Sequence, residues 1–255
     1  SCFVPAGFAA ADFIGAAMLP DAGPPAYLFV VAAGFTAFAA IGLLLLSRVP
    51  DADDGASANT FDGRLSTTLT LPVVLIAACF GLWVVMTVSF FAFMPAYVAG
   101  EGSGMLVSAG VIALLVPIGN LAAGALVPGR DARFIVWLGV AGLAGTALCA
   151  WPAFGGAGPA AMTVAAGAVA ILGGLTGSAL YAVIPLIVPR GGSVSVAIGL
   201  VAQAGGLGTL FGPPLAGYVI ERAGWPGFAL FTAVLALAAL AAVAPLLRPR
   251  ALQIA

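Results

Sequence analysis

Ionisable and hydrogen-bonding side chains are so scarce in this chain that each one lodged in an apolar stretch is a candidate for chemistry. Asp12 is the acidic residue set deepest, about 10 Å from the nearest turn at 1.5 Å per helical residue. A carboxylate at such depth is costly and by default functional, taking up a proton or binding a solute. The alternative is that its helix begins elsewhere and leaves Asp12 near an interface. Ser195, Gly199, Gln203 and Gly206 fall on one helical face. That face either lines a cavity, as Gln203 suggests, or makes a close helix–helix contact, as the glycines suggest. Trp83, Thr87, Phe90 and Met94 share another face, with Tyr97 just beyond, and Gly174, Gly177, Ser178, Tyr181 and Pro185 share a third. Trp83, Thr87, Tyr181 and Gln203 are the expected cavity-lining residues. The plainer reading of such aromatic stripes is core packing or lipid contact. Gly208 and Gly212 form a GxxxG pair suited to helix packing, and Asn120 is suited to a hydrogen bond between helices.

The chain contains no Lys and no His. That removes Schiff-base chemistry, imidazole proton relays and histidine-based metal sites. No metal and no cofactor is expected. Cys2, Cys79 and Cys149 are isolated in apolar runs and read as small buried hydrophobes. No paired acidic motif and no Ser beside a base is visible, so an intramembrane enzyme is the weaker functional class. A net charge of −1 argues against a nucleic-acid partner.

The elements that must position these residues follow from composition. Hydrophobic residues are 63% of 255 and charged residues 7%, against roughly 25% charged in a soluble domain. A chain this apolar needs lipid as its solvent. Stretches near the ~20 residues of a span occur at Ala26–Ser47, Leu69–Met94, Met105–Val127, Phe134–Trp151, Ala160–Val188, Val196–Ile220 and Gly227–Leu247. Cys2–Leu19 reads as an eighth, incomplete span. Seven of the eight arginines, at 48, 64, 130, 133, 190, 248 and 250, fall in every second loop, and Arg222 is the exception. Short Arg-bearing loops stay on the cytoplasmic side. The expectation is an all-α polytopic membrane protein, multi-pass in the cell (inner) membrane, with its C-terminus and the 48–68 loop cytoplasmic. The chain opens at Ser1 without a basic leader, which reads as a cut end with helices missing upstream.

Three parts are expected: residues 1–47 as the remnant of an N-terminal bundle, 48–68 as a cytoplasmic linker rich in Asp, Gly and Ser, and 69–250 as a six-helix bundle. Ala22-Gly23-Pro24-Pro25-Ala26-Tyr27 recurs as Ala223-Gly224-Trp225-Pro226-Gly227-Phe228, an offset of 201 residues that encloses six spans. A parallel repeat of six spans is a plan used by secondary transporters. Two further segments carry a family likeness: Gly119-Asn120-Leu121 running to Gly129-Arg130-Asp131-Ala132-Arg133, and Gly208-Thr209-Leu210-Phe211-Gly212-Pro213-Pro214 followed by Gly224-Trp225-Pro226. With the repeat and the linker, they make the chain resemble helices five to twelve of the major facilitator superfamily. Gly129 stands where that family often has an acidic residue, and Ala132 where it has Gly. The resemblance implies a six-helix bundle plus the last two helices of the preceding bundle. It implies a secondary transporter moving a small-molecule substrate across the lipid bilayer by alternating access, coupled to H+ or another ion. Gly119, Arg130, Asp131 and Arg133 would form its gating loop and Asp12 its coupling residue. It also implies that the missing N-terminal helices are needed for function, so the alternative is a truncated fragment without transport activity of its own.

Overall fold

The computed structural model describes residues 65–248 continuously, with five isolated helical positions at Ala33, Gly34, Ala37, Ala40 and Ile41. Asp12, the first N-terminal span, all but those five positions of the second, the first copy of the repeat, the linker up to residue 64 and Arg48, Arg64 and Arg250 lie outside the described residues.

The described chain is helical throughout. A short α1 (Leu65–Thr68) precedes α2 (Leu71–Ala99), α3 (Ala109–Ala113), α4 (Val116–Leu126), α5 (Ala132–Phe154), α6 (Pro159–Ala182), α7 (Ile184–Ile187) and α8 (Val194–Val243), which runs into a 3-10 turn at Ala244–Leu247. Local sequence sets these boundaries. Ser108, Asp131 and Ser193 are N-caps whose side chains accept from the N–H of Val111, Phe134 and Val196. Prolines open α2, α4 and α6, where a missing N–H costs nothing. Gly100 and Gly155 follow the last residues of α2 and α5.

Five helical runs are long and apolar enough to cross a membrane: Leu71–Ala99, Ala109–Leu126, Ala132–Phe154, Pro159–Ile187 and Val194–Leu247. The last has 54 residues, roughly 80 Å if straight, against a hydrocarbon core of ~30 Å. It is folded in two at Gly224, whose φ of 65° and ψ of −166° interrupt the helix. Ala197 and Val201, before the bend, share one cluster with Ala236, Ala239 and Val243, after it, so the two limbs run antiparallel. With the bend counted, residues 69–248 hold six long apolar helical limbs. The helices are apolar all round rather than on one face. Leu148 (78% exposed), Val164 (72%) and Leu121 (71%) point outward, a surface suited to acyl chains and not to water.

Two cores stack along the bundle. One gathers Val73 to Met86 with Ile135, Leu143, Leu180, Ile184 and Leu246, and packs Val127, Phe134, Val188 and Leu247 at its edge. The turns bearing Arg130, Arg190 and Arg248 adjoin those edge residues, so these arginines gather at one end. The other core is aromatic: Phe90, Phe91, Tyr97, Phe154 and Phe228 with Trp225 beside them. Tyr97, Phe154 and Trp225 lie within 6.3 Å of one another, centroid to centroid. This second end carries the 100–108 and 155–158 turns and the Gly224 bend. Contact between helices is made by glycine. A Cβ on Gly119 of α4 would collide with the Ile171 carbonyl of α6, and one on Gly174 of α6 with the Val116 carbonyl of α4. Gly208 and Gly212 of α8 also lie against the α2 backbone, where a Cβ would stand 2.6 and 2.8 Å from the carbonyls of Gly81 and Val85. The GxxxG pair is thus a packing device.

Candidate functional site

Between α2, α4, α6 and the first limb of α8 lies a cavity of about 750 Å³, within the ~300–1,000 Å³ of drug-sized ligand sites. Its lining on α2 runs from Phe80 to Phe91 and so brackets the middle of that 29-residue helix. The cavity is therefore at mid-depth, with α5 and the second limb of α8 standing outside it. Helical periodicity decides which residues reach it. On α6 they are Gly174, Gly177, Ser178, Tyr181 and Ala182, and on α8 they are Ile198, Ala202, Gly205 and Thr209. Both sets follow the three- and four-residue spacing of one helix face.

One wall is aromatic. The Phe80 ring lies 5.0 Å from Trp83, tilted by 38°, and 4.8 Å, edge-on, from Tyr181, the latter an arrangement in which the positive rim of one ring meets the negative face of the next. Gly177 makes room for it: a Cβ there would stand 2.5 Å from the Trp83 Cη2. Trp83 Nε1 is buried and has no hydrogen-bond partner among the described residues, so Trp83 contributes ring surface to the wall. A polar corner joins α4 to α6, where the Ser178 hydroxyl donates to Asn120 Oδ1 at 2.7 Å. Thr209, also lining the cavity, donates to the Gly205 carbonyl of its own helix at 3.1 Å, a means of hiding a hydroxyl in an apolar bundle. Arrangement and chemistry together suit reversible binding. Among the described residues no cluster of His, Cys, Asp or Glu could hold a metal ion.

The structure brings three of the expected cavity residues together: Trp83, Thr87 and Tyr181 all line the space. Gln203 is a correction. It follows Ala202 by one residue, roughly 100° around the helix, and is exposed outside the lining. Ser195, Gly199 and Gly206 are exposed with it, and neither glycine has a neighbour within 4 Å of a Cβ. Among the described residues that face makes neither the cavity nor the helix contact expected of it. Gly119 needs a second correction. It is buried inside α4 against α6 and belongs to the bundle's packing, not to the turn. Arg130, Asp131 and Arg133 do lie at the turn into α5 and are exposed. Asp131 caps α5, its Oδ1 accepting from the Phe134 N–H at 3.2 Å, while the Arg130 guanidinium lies 4.8 Å over the Phe134 ring. Both interactions order the turn itself. Phe80, Phe91 and Ala202 were not among the expected residues. The spacing of Ile198, Ala202, Gly205 and Thr209 is an equally good helical stripe, and only the position of the neighbouring helices selects it over the one through Gln203. No protein-family model, curated protein or solved structure matches the chain.

Proposed function

We propose that this chain is part of a secondary transporter of the major facilitator type, moving a small solute across a cell membrane by alternating access. The observation that carries the reading is the mid-depth cavity walled by four apolar helices, two pairs of which meet backbone to backbone at glycine. Transporter sites sit at this depth, between helices whose close contacts let bundles rock as units. Six passes over residues 69–248 are the number one half of such a permease requires, and the end carrying Arg130, Arg190 and Arg248 would be cytoplasmic. Arg130, Asp131 and Arg133 would then act at the gate on that side. Ion coupling would fall to Asp12.

The test needs no knowledge of the solute. Cys2, Cys79 and Cys149 are replaced by Ala, and a single thiol is introduced by Ala202→Cys on the cavity lining. Alternating access exposes that position to membrane-impermeant maleimide from each side in turn, without measurable ion conductance. Labelling from one side only, under every condition of solute and pH, would overturn the proposal.

A further inference from the structure

The cavity surface specifies the chemistry of its occupant. Resting on the transporter reading, we infer that the occupant is an uncharged, flat aromatic molecule with a hydrogen-bonding group at one edge. Seventeen of the described residues line the space, and none of these carries a formal charge at neutral pH. An ion seated against this lining would meet no counter-charge among the described residues, and hydrogen bonds to hydroxyls do not replace one. The wall of Phe80, Trp83 and Tyr181 presents ring faces and edges, with Trp83 and Tyr181 set at 5.0 and 4.8 Å from Phe80, spacings at which a further ring gains offset or edge-on contact. Beside that wall, polar atoms come from the Asn120–Ser178 pair between α4 and α6 and from Thr87 on α2, and within it from Trp83 Nε1 and the Tyr181 hydroxyl. A ligand lying along the rings would present one polar edge to that corner. Gly177 is the positioning residue, since its missing Cβ is what leaves room for the outer edge of the Trp83 indole against α6.

The full 255-residue chain in lipid nanodiscs is titrated with tritiated 2-naphthalenemethanol, with empty nanodiscs subtracted. Competitors are 2-naphthoate, 2-naphthylmethylammonium and decahydro-2-naphthalenemethanol, which hold shape nearly constant while changing charge or aromaticity. Saturable binding of the neutral aromatic alcohol is expected, with each competitor about tenfold weaker or worse. Ala202→Phe, which puts a ring into the space from an exposed lining position, should abolish it. Ser178→Ala should weaken it about fivefold. Gly177→Ala should erase the preference for the aromatic over the saturated alcohol, which a general loss of folding would not do selectively. Equal or tighter binding of either ion, or binding that persists in Ala202→Phe, would overturn the inference. Binding as expected without uptake into proteoliposomes would leave the ligand class standing and remove the transport reading. Saturable flux of a charged solute without binding of the neutral alcohol would do the reverse.

Discussion

Glycine positions that look alike in the sequence differ sharply in what they tolerate. Gly119→Ala places a methyl on the Ile171 carbonyl, and since backbone cannot step aside cheaply, α4 must move off α6. Overpacking of this kind costs about 1–3 kcal/mol, and a melting temperature in detergent should fall by roughly 4 °C or more. Gly199→Ala is the matched control. It meets nothing within 4 Å and exchanges a poor helix former for a good one, so its melting temperature should hold or rise slightly. An equal fall in both variants would show that these contacts do not hold the bundle together. Trp83 separates packing from hydrogen bonding at the cavity. Its Nε1 is already buried without a partner, so Trp83→Phe loses some ring area but no hydrogen bond. Trp83→Ala should cost about 3–5 kcal/mol, and Trp83→Phe clearly less, read from the same melts.

At the scale of elements, the bend in α8 rests on one residue. Gly224 has a φ of 65° with ψ near the extended limit, a combination essentially confined to glycine. Pro226 follows with a ring that starts the second limb but cannot hydrogen-bond back through a straight helix. Gly224→Ala should therefore lose about 1–3 kcal/mol. It should also loosen the aromatic end, because Trp225 sits against Tyr97 and Phe154. Trp225 fluorescence, isolated by replacing Trp83, Trp137 and Trp151 with Phe, should shift to the red. An unshifted spectrum with an unchanged melt would mean the bend is held elsewhere. The same helix shows why periodicity alone misleads. Its limb before Gly224 offers several small-residue stripes, and the one through Gly205 and Gly208 meets α2 while the one through Gln203 meets no described residue.

For the whole molecule the governing quantity is the distribution of charge along the bundle axis. The turns with Arg130, Arg190 and Arg248 adjoin one core and the 155–158 turn adjoins the other, so the two sets lie at opposite ends of the bundle. Reporter domains fused at Gly191 and at Ala157 should appear in opposite compartments, with Gly191 on the cytoplasmic side. Both reporters in one compartment would break the six-pass arrangement and the permease reading with it.

Composition alone dictated lipid as the solvent, since a chain with 7% charged residues has no means of hiding its apolar surface in water. Span boundaries were legible too, because prolines, glycines and capping Ser and Asp act within a few residues of where they stand. Trp83, Thr87 and Tyr181 were within reach for the same local reason, lying on recognisable faces of two spans. Which stripe of α8 turns inward, and that Asn120 meets Ser178 across 58 positions of chain, depended on how helices settle against one another. Glycine contacts set that docking through backbone surfaces, and a sequence of nearly uniform hydrophobicity carries no periodic signal from which to read it.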